Sequence, residues 1–150
     1  MNPMINVDGL VTPMADATIP AMDRGFLYGD SVYEVFRTYK GVPVFMDDHF
    51  ERLENSAALI SMTITQSREE LIQEIRRTVK ATGAGSEQDI YVRYQVTRGV
   101  GPVDLYPDPD LTTRYVIIVS TLPARNIIPM GWIWPYLRFD VIRQMHWIRT

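Results

Sequence analysis

Two segments of this 150-residue sequence, 31–39 and 89–97, place tyrosine and arginine at alternate positions. Alternate residues of a β-strand point to the same side, so each segment would present these side chains on one face. A guanidinium fork suits a carboxylate, and a tyrosine supplies a hydroxyl beside an apolar wall. The two faces could line an anion-binding pocket, or they could be exposed faces on which tyrosine and arginine cover one another. The side chains concerned are Tyr33, Arg37 and Tyr39 in the first segment and Tyr91 and Arg93 in the second.

Other polar residues could take part in chemistry, but their pattern alone favours structural roles. Arg52 and His49 lie in a segment with the apolar periodicity of a helix, which predicts solvated side chains on the helix surface. His49 and His146 are far apart in the sequence and have no acid at ligand spacing. No metal site is therefore predicted.

The strands that must position the tyrosines and arginines are predicted from alternation and turn signals. Residues 4–12 indicate a hairpin about Asp8-Gly9, and residues 42–46 indicate a strand that follows a turn at Lys40-Gly41. Further strands are expected over 31–39, 89–97 and 114–121.

Two helices are predicted between these strands. Asp47 and Asp48 are expected as the N-cap and first turn of one helix. The other helix begins after Ser67, where Glu70 completes a capping box, and stops at Gly83. Strands with two adjacent helices predict an α+β domain.

Composition excludes several classes of function. The net charge of −3 and the absence of a basic cluster argue against a nucleic-acid partner. Without cysteine there is no disulfide framework and no thiol chemistry. The start of the sequence has no signal-peptide pattern, and no apolar stretch is long enough to cross a bilayer, so we expect a cytoplasmic protein.

Four motifs in order give the sequence a family resemblance. They are Asp23-Arg24-Gly25, Tyr28-Gly29-Asp30, Val32-Tyr33-Glu34 and His49-x-x-Arg52-Leu53. With this spacing, residues 5–121 resemble the amino-terminal domain of class IV aminotransferases, pyridoxal-phosphate enzymes that include branched-chain and D-amino-acid aminotransferases. The resemblance implies a small α+β domain, mostly an antiparallel sheet with two helices on one side.

The resemblance also implies roles for individual residues. Arg52 stands where the family holds the cofactor phosphate. D-amino-acid enzymes carry an arginine and a histidine in the loop after Thr97-Arg98-Gly99, where this sequence has Val103 and Leu105. The pattern Tyr91-Val92-Arg93 favours the branched-chain type, while a D-amino acid, an amine or another α-amino acid remains open. The positions that match the family's substrate side are Tyr28, Tyr33, Arg37, Tyr91 and Arg93.

The family's Schiff-base lysine, in a short I-K-S-type motif, has no counterpart in this sequence. The two lysines, Lys40 and Lys80, lie in a turn and near a helix end. We therefore expect an amino-terminal domain over 1–121, a linker and atypical tail over 122–150, and a second domain that is essentially missing. The family implies an amino acid and a 2-oxo acid as substrates and a homodimer. This chain alone is predicted to be inactive, because the lysine is absent and most contacts to the pyridoxal phosphate belong to the missing domain. A non-catalytic carboxylate- or phosphate-binding domain, or a pairing partner for a full-length relative, remains an alternative.

The segment 131–150 is unlike the rest, because it holds all three tryptophans. Pro135 and the lack of a clean apolar stripe argue against an interfacial helix, and the segment is too apolar for a disordered end. Back-translated and read two bases later, it permits M-D-L-A and then A-L-D-P, which is similar to the family's approach to its lysine motif. We hypothesise that a frame slip between about residues 121 and 131 replaced the true sequence.

Sequencing the source gene from codon 120 to a few hundred bases past codon 150 tests this hypothesis. We expect the shifted frame to continue into an I-K-S-type motif and a second domain. If no frame encodes a lysine-bearing motif there, the hypothesis is wrong, and a binding or pairing domain becomes the better interpretation.

Overall fold

The computed structural model describes residues 1–122, which form one six-stranded antiparallel sheet and three helices. The elements are β1 (Met4–Val7), β2 (Leu10–Pro13), α1 (Arg24–Tyr28), β3 (Ser31–Tyr39), β4 (Val42–Pro43), α2 (Met46–Leu59), α3 (Arg68–Ala81), β5 (Ile90–Thr97) and β6 (Arg114–Thr121). Across the sheet the order is β2-β1-β6-β5-β3-β4. The predicted α+β class is confirmed. The predicted tail and its frame slip lie outside the described residues.

Tight turns join the strand pairs at the two predicted positions. Asp8 and Gly9 both have positive φ (46° and 90°) between β1 and β2, and Lys40 and Gly41 do so between β3 and β4 (50° and 76°). Gly41 is also required sterically, because a Cβ there would lie 1.7 Å from the Ser86 carbonyl oxygen. The turn into β4 therefore depends on glycine for both its φ and its space.

The prediction of a strand over 42–46 is wrong beyond its first two residues. β4 ends at Pro43, and Phe45 takes a left-handed conformation (φ 53°) that turns the chain into α2 at Met46. Phe45, not Asp47, occupies the N-cap, and no side chain caps this end. Asp47 lies in the first turn, together with Asp48, where a negative charge interacts favourably with the helix dipole.

The capping box predicted for the second long helix is confirmed. The Ser67 hydroxyl accepts from the Glu70 backbone N–H, and the Glu70 carboxylate accepts from the Ser67 backbone N–H at 2.7 Å. α3 ends at Ala81 with Thr82 as its C-cap, slightly before the predicted stop at Gly83. No helix in residues 1–122 is long and apolar enough to cross a membrane.

Both long helices pack on the same face of the sheet. The register aligns Asn6, Ile117, Tyr94 and Glu34 across β1, β6, β5 and β3. Asn6 donates to Glu74 and Thr78 of α3, while Glu34 accepts from side chains of α2. This confirms the expected arrangement with two helices on one side. The buried apolar side chains include Phe36, Phe50, Leu53, Leu71, Ile75, Val92, Val96 and Val119.

α1 is a five-residue helix that no periodic pattern predicted. The Asp23 carboxylate caps it by accepting from the Gly25 backbone N–H at 2.8 Å, and it also accepts from the Thr97 hydroxyl at 2.9 Å. Gly25 has no room for a side chain, since a Cβ there would lie 2.6 Å from Thr97 Cγ2. Asp23 and Gly25 therefore fasten α1 to the end of β5.

Tyr94 is buried beneath α2, and its hydroxyl has no hydrogen-bond partner among the described residues. Its ring packs against Phe50 and Phe36, with ring centroids 5.1 and 6.0 Å away. Burial, and then the charge of the nearby Glu34, raises the Tyr94 pKa above its ordinary range. A buried hydroxyl without a partner loses its hydration and gains no hydrogen bond in return.

Tyr94→Phe is therefore expected to leave the free energy of unfolding unchanged or to raise it by up to about 1 kcal/mol. Thr78→Val is the matched control, because the buried Thr78 hydroxyl donates to the Glu74 carbonyl at 2.7 Å and accepts from Asn6. That change is expected to cost about 1–2 kcal/mol. Urea unfolding of both variants measures the difference, and a loss on Tyr94→Phe as large as the control's would contradict the prediction.

Candidate functional site

The face of the sheet opposite α2 and α3 carries the tyrosines and arginines of the two predicted segments. The cross-strand pairs of β3 and β5 on this face are Tyr33 with Gln95, Val35 with Arg93, and Arg37 with Tyr91. Alternation puts the core residues of the same strands on the other side. The structure therefore brings the four predicted strand residues together on one open surface, here called the open face.

Arg93 lies at the centre of the open face. Its guanidinium carbon stands 3.6 Å from the centroid of the Tyr33 ring, a cation–π contact. Arg93 also donates to Gln95 Oε1 at 3.0 Å, and Gln95 donates to the Ser31 hydroxyl at 3.0 Å. These contacts fix the plane of the guanidinium while leaving most of its N–H donors available.

Arg37 is held at the end of the same strand pair. It forms an ion pair of 3.3 Å with Asp89, and both side chains are substantially exposed. Asp89 also accepts from the Lys40 backbone N–H at 2.7 Å. Arg37 thus has a carboxylate partner within the domain, and an exposed pair of this kind contributes little stability. Of the two open-face arginines, Arg93 is the better placed to meet an added anion.

A cavity of about 310 Å³ adjoins Gln95 on the open face. Its apolar walls come from β6 and from the segment around α1, and its polar edge comes from Asp23 and Thr97. In the register, Arg93 lies opposite Ile118 of β6, which lines this cavity. The charged side chain of Arg93 therefore lies next to an apolar cavity. The apolar lining residues are Ile19, Phe26, Val116 and Ile118.

Arg52 lies apart from these residues, in a cluster with Glu34 and His49. Arg52 Nε and Nη2 donate to the two oxygens of the Glu34 carboxylate, each at 2.5 Å. His49 Nδ1 is 2.8 Å from Glu34 Oε2. The expectation of a solvated His49 is wrong, because its side chain is only 15% exposed, whereas that of Arg52 is 62% exposed.

Glu34 belongs to the motif Val32-Tyr33-Glu34, but the sequence analysis assigned it no role in this cluster. Burial alone would raise its pKa, but hydrogen bonds from Arg52 and His49 outweigh burial and lower the pKa below its ordinary value. Glu34 therefore stays ionised at neutral pH. Its side chain points to the helix side of β3, whereas the neighbouring Tyr33 points to the open face.

Strand β3 has an unpaired outer edge between the helix side of the sheet and the open face. β4 pairs only with Thr38 and Tyr39, so over residues 31–36 no described strand pairs with the outer side of β3. Arg52 contacts Glu34 on the helix side of β3, and Tyr33 lies on the open face of the same strand.

Tyr28 ends α1 and is 37% exposed, with the guanidinium of Arg24 4.6 Å from its ring centroid. Arg24 is buried and donates to Asp30 at 3.1 Å, and Arg98 donates to the same carboxylate at 2.6 Å. Arg24 also donates to the carbonyl oxygens of residues 104 and 105, and Arg98 to those of 60 and 61. This clamp of Arg24, Asp30 and Arg98 was not predicted, because Arg98 is 68 residues from Asp30 and the motifs that contain Arg24 and Asp30 do not indicate their pairing.

The family model described as Amino-transferase class IV matches residues 31–140, which is most of the sequence. The chain belongs to the class IV aminotransferases. The match begins at β3 and includes both arginine-bearing strands and the cluster around Arg52. The family resemblance of the motifs is therefore confirmed.

Individual relatives of this class IV aminotransferase domain differ in type. A protein of Methanocaldococcus jannaschii named as a putative branched-chain-amino-acid aminotransferase is 36% identical over 124 residues, which cover 83% of this chain and 41% of that protein. A D-alanine aminotransferase of Staphylococcus haemolyticus is 33% identical over 106 residues, which cover 70% of this chain and 36% of that protein. The chain thus spans about two fifths of the length of the relatives it matches.

A solved structure supports the same assignment. A branched-chain amino acid aminotransferase from the source abbreviated T.th., complexed with N-(5'-phosphopyridoxyl)-L-glutamate, superimposes with a TM-score of 0.69 at 26% identity. The alignment covers 83% of this chain and 42% of that one. The class IV fold is therefore present over the described residues.

Neither lysine of the sequence lies on the open face. Lys40 is in the β3–β4 turn, and Lys80 is near the end of α3 on the opposite side of the sheet. Within residues 1–122 no group of three or more histidine, aspartate and glutamate side chains is arranged to hold a metal ion. The side chains of the open face that could contact a ligand include the guanidinium, phenol and amide groups of Arg93, Tyr33 and Gln95.

The clamp around Asp30 predicts a pH-dependent stability. Burial alone would raise the pKa of Asp30, but hydrogen bonds from Arg98 and Arg24 lower it below its ordinary value of 3.8. The pKa of Asp30 is lower in the folded chain than in the unfolded chain. The ionised Asp30 therefore stabilises the fold fully above pH 3.8, and this stabilisation is lost as the pH falls through the folded-state pKa.

Asp30→Asn should therefore cost about 2 kcal/mol of unfolding free energy at pH 7, since it leaves the buried Arg24 without a charged partner. The deficit relative to the unsubstituted chain should shrink as the pH falls below 3.8. Asp16→Asn, at an exposed residue outside every described ion pair, serves as the control. Chemical unfolding between pH 7 and pH 3 gives the comparison, and a deficit that does not change with pH would overturn this account.

Proposed function

We propose that this domain supplies one half of a pyridoxal-phosphate-dependent transaminase site. The site moves an amino group between an α-amino acid with a branched apolar side chain and a 2-oxo acid. The observation that carries the proposal is the β3–β5 register, which sets Arg93, stacked on Tyr33, beside an apolar cavity.

Arg52 fits the phosphate of the cofactor. Its Nε and one terminal nitrogen face Glu34, while Nη1 donates to no described residue and the side chain is 62% exposed. A planar guanidinium held this way presents the paired N–H donors that a phosphate accepts. The phosphopyridoxyl group bound in the solved branched-chain relative supports the cofactor class. When bound, pyridoxal phosphate supplies the electron sink that lets the Cα proton leave.

The open face binds the substrate. Arg93 donates to a substrate carboxylate, and the apolar side chain lies in the adjoining cavity against Ile118. The hydroxyls of Tyr33 and Tyr91 orient the bound acid. Arg37, which already has Asp89 as partner, shapes the end of the site, and Tyr28 closes it beside α1.

The choice of a branched-chain substrate rests on the loop after β5. Val103 and Leu105 are 75% and 82% exposed and carry no charge, so this loop offers no arginine or histidine to a carboxylate. The D-alanine aminotransferase at 33% identity makes a D-amino acid the second candidate. The absence of arginine and histidine from residues 99–113 of this loop favours the first.

The lysine that moves the Cα proton has to come from outside the described residues. Lys40 and Lys80 lie away from the open face, so the 150-residue chain is inactive alone. The intact assembly is a homodimer. Arg52, Arg93 and the tyrosines then bind and orient the two ligands, while the second domain supplies the proton-transferring group.

A chimaera tests the proposal. Residues 1–121 of this chain replace the matching part of the Methanocaldococcus jannaschii relative, with that relative as the positive control. We expect transamination between leucine and 2-oxoglutarate. Arg93→Gln should raise KM for the 2-oxo acid about tenfold or more, the equivalent of a lost charged hydrogen bond. Arg37→Gln, at the arginine that already has a partner, should raise it by less.

The 150-residue chain, mixed with pyridoxal phosphate and the same substrates, should give no product. Turnover by the chain alone would refute its predicted inactivity. A folded chimaera that binds the cofactor without transaminating, while the relative does transaminate, would favour a non-catalytic binding or pairing domain.

A further inference from the structure

The buried charge of Glu34 needs an explanation other than stability. Glu34 is 6% exposed in the middle of a strand face whose other members include Val32 and Phe36, both in the core. Burying a charge is costly, and an apolar residue at such a position is often as stable as an ion pair or more so. Within residues 1–122, Arg52 and His49 are the side chains that lower the pKa of this carboxylate. A role of Glu34 in setting the position of Arg52 and His49 accounts for its buried charge.

The geometry of the cluster fixes the orientation of one guanidinium. Two oxygens of Glu34 accept from two nitrogens of Arg52, so the plane of the guanidinium is defined by a buried strand. A carboxylate only accepts, so His49 Nδ1 donates to Glu34 and holds the carboxylate in turn. His49 also packs its ring 6.0 Å from that of Phe36. The free edge of Arg52, with Nη1, is left facing outward.

A second arginine–glutamate pair, between α3 and α2, provides a comparison for the cluster of Glu34, His49 and Arg52. Arg68 of α3 makes the same two-pronged contact with Glu54 of α2, at 2.6 and 2.5 Å. Both of those side chains are nearly half exposed, and among residues 1–122 no buried group or histidine donates to the Glu54 carboxylate. Glu54 therefore ties two helices together, whereas Glu34 ties an exposed guanidinium to the core.

We propose that Glu34 and His49 are positioning residues that orient Arg52 toward a phosphate monoester. The proposal rests on the function proposed above, in which Arg52 binds the cofactor phosphate. Glu34 and His49 touch no ligand themselves. Glu34 and His49 restrict the rotamers of Arg52 before the ligand arrives. Less conformational entropy is then lost on binding, and such preorganisation increases affinity.

The test uses the 150-residue chain and pyridoxamine 5'-phosphate, which has no aldehyde to react with lysine. NMR titration follows the Arg52 Nε–H resonance and gives the affinities for pyridoxamine 5'-phosphate and for pyridoxamine. The ratio of the two affinities isolates the phosphate, because a general loss of structure weakens both. The variants are Glu34→Gln, His49→Ala, His49→Asn and Arg52→Gln, with Glu54→Gln as the matched control.

We expect Glu34→Gln to lower the affinity ratio about tenfold and His49→Ala to lower it severalfold. Asparagine at position 49 can place an amide N–H near the Nδ1 position, so His49→Asn should recover much of the loss. Glu54→Gln should leave the ratio unchanged. Because His49 is partly exposed, its variants keep the test open even if Glu34→Gln fails to fold.

Two outcomes separate this inference from the proposed function. If Arg52→Gln lowers the ratio but Glu34→Gln and His49→Ala do not, the positioning role is wrong and the phosphate role of Arg52 stands. If Arg52→Gln leaves the ratio unchanged, Arg52 does not bind the phosphate, and both proposals are overturned.

Discussion

The pairing of β3 with β5 is the constraint on which the rest of this domain depends. Seven consecutive Cα pairs fix the register from Ser31 to Arg37. Because side chains alternate, that register puts Phe36 and Val92 in the core and Arg37 and Arg93 on the open face. A slip of one residue would bury the arginines and expose the core. The hydrophobic effect that stabilises the fold thereby also assembles the polar surface opposite the helices.

Glu34 is the exception to this separation, and it lies where the sheet is least covered. The short β4 leaves the outer side of β3 unpaired over residues 31–36, and α2 places Arg52 and His49 beside that edge. Arg52 lies on the helix side of the sheet, where it contacts Glu34 of β3, whereas Arg93 lies on the open face, on the neighbouring strand β5. The domain therefore carries a guanidinium group on each side of the β3–β5 pair.

The sequence predicted those parts of the fold that depend on local patterns. Alternation located β3 and β5. The capping-box spacing of Ser67 and Glu70 located the start of α3, where the structure shows both hydrogen bonds of the box. The strand predicted over 42–46 was cut short because Phe45 adopts a left-handed conformation, which its type does not indicate. α1 was missed because five residues carry no periodicity, and its stability comes from a contact between Asp23 and Thr97, far away in the chain.

The site could be predicted only as far as motifs and alternation reach. The family resemblance pointed to Arg52, but the pairing of Arg52 with Glu34 joins residues 18 positions apart on a helix and a strand, and no spacing rule indicates it. Arg24 and Asp30 lie in two of the motifs, but the motifs do not indicate that Arg24 is buried or that Arg98, 68 residues from Asp30, contacts the same carboxylate. For Glu34 and for Asp30, the distant partner becomes visible only in the folded domain.

The same long-range contacts bear on how one fold could serve different amino acids. Arg24 holds the loop after β5 through the backbone carbonyls of residues 104 and 105, not through their side chains. The conformation of this loop is thus fixed independently of the side chains of Val103 and Leu105, which remain largely exposed. Side chains at those two positions can change while the loop keeps its path. A fold that anchors a loop by its backbone can exchange apolar side chains for charged ones while the loop keeps its path, and the two relatives named for different amino acids share this fold region with the chain.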